Sequence, residues 1–534
     1  METTEALWLL AVPVAALAVA ALARRTRIAA PLALVIAGLI CSYLPGVPDF
    51  ALNPEFVLYV FLPPLLFSAA WQSSFVDLRA NLRPIAFLSV GLVLFTTLVV
   101  GLAVHLAVPG LPLPVALVLG AIVAPPDAVA AVSVAQRLGL PRRTVTILVG
   151  ESLFNDATAL TAFRVAVAAA TGAGFTWLDG AGRFAYAAVA GALIGLVLGP
   201  PLHWLRTRLN DPLVENGVAV IAPYAAYLSA EAVHASGVIA VVISGLYLGH
   251  RFTESAAITR LIGHSFWKIV VFLLESVVFL LIGLQLPPVL DAVAERSWGS
   301  LAWWALVAFA ATVVARFAWV FVVSYLPARL GFARAPADGE EPGWRGHVVI
   351  GWAGMRGVVS LAAAFAIPFT TKSGAPFPDR DLVLFLTFTT VLATLLVQGL
   401  TFPALIRMLG AGGAERETYN DTVAAAGAHH AAASAAIGRL DELAAAEDLD
   451  PDVVERLRHL AEQRQLRAWE RLGGGTGQGG EEVPSVTYRR LRREMLAAER
   501  VTFIRMRNER RLDDAVLAQI LHELDLEEAS LQRD

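Results

Sequence analysis

Three carboxylate or carboxamide side chains fall within six residues of an otherwise apolar stretch: Glu151, Asn155 and Asp156, in Gly150-Glu151-Ser152-Leu153-Phe154-Asn155-Asp156. The stretch runs from about Arg143 to Ala170 and reads as a membrane-spanning helix. One charge in the middle of such a helix costs roughly 2.5–3.5 kcal/mol on insertion scales, so these residues must face a partner, a watery cavity or an ion. Residues four apart share a helix face. Ser152 and Asp156 therefore form one stripe, and Glu151 and Asn155 form another about 100° round. The first stripe, a carboxylate with a hydroxyl beneath it, suits a hard cation, which takes oxygen ligands.

Other groups qualify by position. Asp127 follows Ala124-Pro125-Pro126 in the preceding apolar span, and a carbonyl freed around Pro125 and Pro126 would complete an oxygen shell with it. The bland readings are that Asp127 caps the half-helix after it and that Asn155 only ties two helices together. Arg356 is the counter-charge, because a guanidinium keeps its proton and, once buried, needs a carboxylate. Glu151 is its expected partner and Glu275 the second choice. Arg164 and Arg316 are also intramembrane. His105 and His234 fall near span ends, where interfacial placement is the simpler reading.

The elements that must position these groups follow from composition. Of 534 residues, 57% are hydrophobic and only 16% charged, against about a quarter charged in soluble domains. Apolar blocks near twenty residues, each enough for ~30 Å of hydrocarbon, mark an all-α polytopic membrane protein. A β-barrel would show alternating ten-residue segments instead. The net charge of −4 gives no sign of a nucleic-acid partner, and the single cysteine, Cys41, excludes an intramolecular disulfide framework. The start does not read as a cleaved signal, since Met1–Glu5 carries no positive charge and Leu7–Ala23 is long enough to span.

Thirteen spans are expected: 6–23, 28–44, 54–70, 84–107, 113–136, 143–170, 182–203, 214–234, 237–250, 264–286, 299–326, 346–369 and 381–409. Alternate loops hold sixteen basic residues, from Arg24, Arg25 and Arg27 to Arg329, Arg334 and Arg345; the others hold four, Arg183, Arg296, Lys372 and Arg380. The positive-inside rule then puts the N-terminus outside and the tail in the cytoplasm. An odd count suits two inverted six-helix halves joined by the seventh span, a plan common among secondary transporters. In each half the fifth span is interrupted, at Ala124–Asp127 and at Gly351-Trp352-Ala353-Gly354-Met355-Arg356-Gly357. Proline and glycine unwind a helix, and unwound backbone at that depth must line a cavity or lie in protein. Residues 1–410 form the transmembrane part. Residues 411–534 are a charged helical tail, possible in regulation, with a Gly473–Gly480 linker and helical spacing at Leu512, Val516, Ile520 and Leu524. His429 and His430 are adjacent, so they point to different helix faces.

The heptad 150–156, the Pro-Pro-Asp-Ala-Val-Ala run at 125–130 and Gly354-Met-Arg-Gly-Val-Val-Ser-Leu361 together resemble the monovalent cation:proton antiporters of the sodium/proton exchanger type. Glu275, Phe279 and Ile282-Gly283-Leu284 fit the same pattern. The resemblance covers roughly residues 1–410. It implies a homodimer with a dimerisation scaffold and a mobile core, two crossed unwound helices, no enzymatic activity and no cofactor beyond the transported cation and proton. It implies that both ions share Asp156, with Asp127 and Ser152 as cation ligands and Glu151–Arg356 as a brace. Several bacterial relatives have a glutamate after the Pro-Pro-Leu-Leu-Phe run; here that slot is Ser68, so the ion shell departs from theirs. One carboxylate beside Asn155, rather than two acids, favours one-for-one exchange at the plasma membrane, of sodium first and potassium or lithium next. A channel, an ion sensor and an intramembrane aspartyl protease are the rivals. The protease would need Asp127 and Asp156 to share a proton across about 3 Å, and its Gly-x-Gly-Asp context is missing.

Overall fold

A computed structural model describes residues 3–26, 30–44, 57–127, 131–132, 134–135, 138–172, 177–209, 211–329, 343–410, 414–447, 449–470, 484–509, 511–512 and 514–533. Arg27, Ala128–Ala130, Arg334 and the Gly473–Gly480 linker lie outside them. The chain divides into two compact units, Met1–Gly412 and Gly413–Asp534. Both are helical; the described residues hold one isolated β-bridge, Thr370 with Pro376, and no strand.

The first unit contains α1 (Thr3–Thr26), α2 (Ala30–Ser42), α3 (Leu62–Gln72), α4 (Phe75–Ala80), α5 (Leu82–Ala107) and α6 (Leu113–Val123). It continues with α7 (Arg142–Ala170), α8 (Trp177–Leu209), α9 (Pro212–Glu231), α10 (Gly237–His250), α11 (Ala257–Leu284) and α12 (Leu286–Asp291). It ends with α13 (Trp298–Arg329), α14 (Trp344–Trp352), α15 (Val358–Phe365) and α16 (Arg380–Leu409). Local chemistry sets several of these ends. Asp211 caps α9 by accepting from the Leu213 and Val214 amides, with Pro212 at the first helical position. Ser236 does the same for α10 through the Ile239 amide, and α16 stops at Gly410 with φ +58°.

Helices overlie each of the thirteen expected segments, but they are not thirteen equal spans. Five helices among the described residues are long and apolar enough to cross a membrane: Leu82–Ala107, Gly180–Leu209, Ala257–Asp291, Trp298–Val323 and Arg380–Leu409. The rest depart for physical reasons. Segment 113–136 loses its helix after Val123, at the two prolines, and 346–369 splits into α14 and α15 around the glycine-rich stretch. Helices α2 and α10 have only 13 and 14 residues, and α7 carries its polar heptad mid-length.

Close helix crossings depend on missing side chains, since association between apolar helices in lipid rests on packing at small residues. At the α2–α11 crossing Gly38 lies on the Leu280 carbonyl and Gly283 on that of Val35, so a Cβ on either would overlap backbone. Gly120 of α6 lies likewise against the Thr97 carbonyl of α5. Among the described residues three π-turns interrupt the regular ladder, at Val57–Phe61, Phe87–Gly91 and Thr394–Gln398. The Phe87 carbonyl accepts the Trp319 indole N–H at 2.9 Å.

The second unit contains α17 (Ala414–Ala446), which carries His429 and His430, α18 (Pro451–Glu470), α19 (Pro484–Asn508) and α20 (Asp514–Arg533). Of the apolar positions spaced from Leu512 to Leu524, Val516, Ile520 and Leu524 fall on α20, which packs against α19. Leu496, Leu524 and Leu531 are buried between them with Ile520 packed alongside, Leu512 lies in a bend and Val516 is exposed. Arg492 reaches Glu527 at 2.6 and 2.8 Å and Glu499 at 2.9 Å. The hydrogen bond from Arg492 holds the Glu527 carboxyl below its ordinary range.

Gly283→Val is expected to lower the unfolding temperature of the detergent-solubilised protein, because overpacking costs roughly 1–3 kcal/mol; an unchanged melt would remove the α2–α11 crossing from the stability argument. For the tail, a depressed folded-state pKa means stability that is present above the unfolded value, about 4.3, and lost as pH falls through the lower folded value. Protection factors of 484–533 in hydrogen exchange should fall across that window, and Glu527→Gln should flatten that fall and lower protection at neutral pH.

Candidate functional site

The site is built where two helices come apart. Helix α6 ends at Val123 and its chain is not helical through Pro126 and Asp127; α14 ends at Trp352 and α15 begins at Val358. The unwound segments are joined directly, as the Asp127 amide donates to the Met355 carbonyl at 2.6 Å. The Asp127 carboxylate lies against Gly357, at the N-terminal end of α15, so close that a Cβ there would collide with it. A half-helix N-terminus favours negative charge. Asp127 thus meets the start of the crossing half-helix, while the residues after it, which the capping reading required, lie outside the described residues.

Helix α7 packs across this junction and supplies the two stripes. Asp156 is 7% exposed and Ser152 half-buried, and both line a cavity of about 640 Å³. Asp127, Glu275 of α11, and Ser68 and Gln72 of α3 line it too. Gln72 donates to the buried Ser68 hydroxyl at 2.8 Å and is itself exposed. Among the described residues no cationic side chain pairs with Asp156, and its charged neighbour is Asp127. Two carboxylates on one cavity, one of them without a cationic partner among the described residues, call for a proton or a cation.

The other stripe does different work. Asn155 is fully buried and donates through Nδ2 to the Pro126 carbonyl at 2.8 Å. The proline carbonyl expected to face an ion is therefore engaged by α7, and neither Asn155 nor Pro126 lines the cavity. Glu151, 1% exposed, pairs bidentately with Arg316 of α13, at 2.5 and 3.0 Å.

That pairing corrects the Glu151–Arg356 expectation. Arg316 Nε also donates to the Ile350 carbonyl at 3.0 Å, so one guanidinium ties α7, α13 and the last turn of α14. Arg356 is equally buried but bonds to carbonyls released by unwinding: Val123 at 2.9 Å from Nε, and Gly354 from Nη1. Its amide donates to Thr394 Oγ1 at 3.1 Å, in the third π-turn. Gly354 sits between the guanidinium of Arg356 and the stem of Arg316, where a side chain would displace both. Freed carbonyls satisfied Arg356 where a carboxylate was expected. Glu275, the second choice, faces the cavity instead. Arg164 pairs with Glu231 at 3.0 Å near the far end of α7. Arg316 carried no sequence signal beyond being a charge in an apolar helix.

Crossed unwound segments beside mid-helix carboxylates are the architecture of an ion-coupled membrane transporter. The family model described as "Sodium/hydrogen exchanger, transmembrane" matches residues 13–408. An uncharacterized Na(+)/H(+) exchanger of Mycobacterium tuberculosis is 35% identical over 520 residues, covering 96% of this chain and 93% of its own. The Na(+)/H(+) antiporter of Aphanothece halophytica is 34% identical, covering 74% of this chain and 72% of its own. The sodium, potassium, lithium and rubidium/H(+) antiporter of Bacillus subtilis is 31% identical, covering 70% of this chain and 57% of its own. In fold, the chain matches the sodium proton antiporter of Methanocaldococcus jannaschii at pH 8 with a TM-score of 0.61 and 22% identity, over 77% of this chain and all of that one. The chain belongs to the sodium/hydrogen exchanger family of membrane transporters, and it is not an enzyme.

Removing one partner of a buried ion pair strands the other, at a cost of roughly 3–5 kcal/mol. Glu151→Gln and Arg316→Gln should each cut the yield of folded protein and its unfolding temperature, and the double variant should recover part of the loss. Additive losses in thermal unfolding would show the pair to be uncoupled.

Proposed function

We propose that this chain exchanges one monovalent cation, sodium foremost and potassium or lithium next, for one proton, by competition at Asp156. The observation that carries the reading is the placement of Asp156: buried, without a cationic partner among the described residues, and facing a cavity it shares with Asp127, Ser152 and Glu275. A bare carboxylate there is the least favourable state. A proton neutralises it, or a cation held by Asp156, Asp127 and Ser152 does so; each excludes the other, and that exclusion couples the fluxes. Asn155 and Pro126 hold the strap to α7 in this reading, and Glu151 with Arg316 braces the core. Glu275 is a secondary carboxylate at the cavity wall.

The loaded site crosses by alternating access, the core moving against a dimerisation scaffold. Interruption of the fifth span in each half supports two inverted six-helix repeats within thirteen crossings. The distribution of arginine supports an outer N-terminus and a cytoplasmic tail, in a cell membrane where exchange would serve pH homeostasis. The homodimer follows from the family resemblance. The Bacillus subtilis relative is an antiporter of sodium, potassium, lithium and rubidium, which favours a site tolerant of several alkali ions.

The test is dissipation of a pH gradient in proteoliposomes, with sodium, potassium or lithium added and the voltage clamped by valinomycin and potassium or left free. Exchange that ignores the clamp is expected for one-for-one antiport; exchange driven by voltage would overturn that stoichiometry. Asp156→Asn should insert normally and lose at least about 99% of exchange, and substantial exchange in that variant would sink the Asp156 mechanism.

A further inference from the structure

Helix α15 carries a hydroxyl that the reading above leaves without a task. Ser360 is 2% exposed, in the first turn of the half-helix, and among the described residues its Oγ has no hydrogen-bond partner. A serine or threonine inside a helix commonly returns its hydroxyl to a carbonyl three or four residues back. Ser244 does so to Val241 at 3.0 Å and Thr161 to Ala157 at 2.7 Å. For Ser360 those carbonyls belong to Arg356 and Gly357, where the chain is unwound, and the bond is not made. An unmade bond at a buried hydroxyl is a cost that alanine would not carry.

The surroundings say what would satisfy it. Ser360 lines the same cavity as Ser152, Asp127 and Asp156, and the Asp127 carboxylate rests on Gly357, three residues before it. Two carboxylates repel an anion, and their oxygens with two hydroxyls make a donor set fit for a hard cation. Asp127 also offsets the positive end of α15, which alone would oppose a cation.

We propose that Ser360 Oγ is a ligand of the transported monovalent cation. The second broken span thereby contributes an oxygen of its own to the shell. The assignment rests on the exchange reading, and it adds a residue to the Asp156, Asp127 and Ser152 set. Ser360 acts on affinity and on ion order.

Two variants and two readouts test it. In proteoliposomes Ser360→Ala should raise the half-saturating sodium concentration at least fivefold, and Ser360→Thr, which keeps the hydroxyl, should stay within about twofold of the original chain. In detergent, sodium should raise the unfolding temperature of the original chain more than that of Ser360→Ala, which should melt no lower than the original chain when sodium is absent. An unchanged half-saturating concentration in Ser360→Ala, or a lower maximal rate alone, would overturn the assignment. If the original chain exchanges no cation, the exchange reading falls by itself. The melts still decide the ligand: no sodium-induced shift, or an equal shift with and without the hydroxyl, overturns it.

Discussion

Unwinding two helices inside a low-dielectric layer releases amides and carbonyls that have no water to turn to, and much of the core answers that constraint. The Asp127 amide takes Met355 O, Asn155 takes Pro126 O, and Arg356 takes Val123 O and Gly354 O while its own amide goes to Thr394. Arg316 caps the last turn before the break through Ile350 O and gives its remaining donors to Glu151. Polar residues that look alike in an apolar sequence thus divide by task. Some repair backbone, and those left over, Asp156 and Ser152 among them, line the cavity.

This division explains what the sequence could and could not disclose. The two breaks were legible because Pro125-Pro126 and the Gly351–Gly357 run are costly in any helix, and four-residue spacing put Ser152 and Asp156 on one face. The partner of Glu151 was not legible. Opposite charge picks out every buried arginine equally, and Arg316 is 165 residues away in an unbroken helix. Arg356 stood in the more distinctive motif, yet its position in the break surrounds it with carbonyls. Nor did the sequence give a sign of the π-turn that presents Thr394 to the Arg356 amide.

Membership of the sodium/hydrogen exchanger family rests on relatives that span nearly the whole chain, and it fits a core in which rigidity and openness sit side by side. Braced charge lies on one face of α7 and the cavity on the next. Because Glu151 and Asn155 hold that helix to α13 and to the strap, the neighbouring face can present a carboxylate without further support.

The contact between Asp127 and Gly357 has a mechanical meaning. With no side chain between them, and with the Asp127 amide on Met355, both straps and this carboxylate are one piece. Asp156 lies on the continuous helix α7, which Asn155 ties to the first strap through the Pro126 carbonyl. In the exchange proposed above, a cation held by both carboxylates is a second, removable crosslink beside that fixed one. When, in that proposal, a proton takes the cation's place on Asp156, charge stays balanced but this tie is gone, and the seam softens without coming apart.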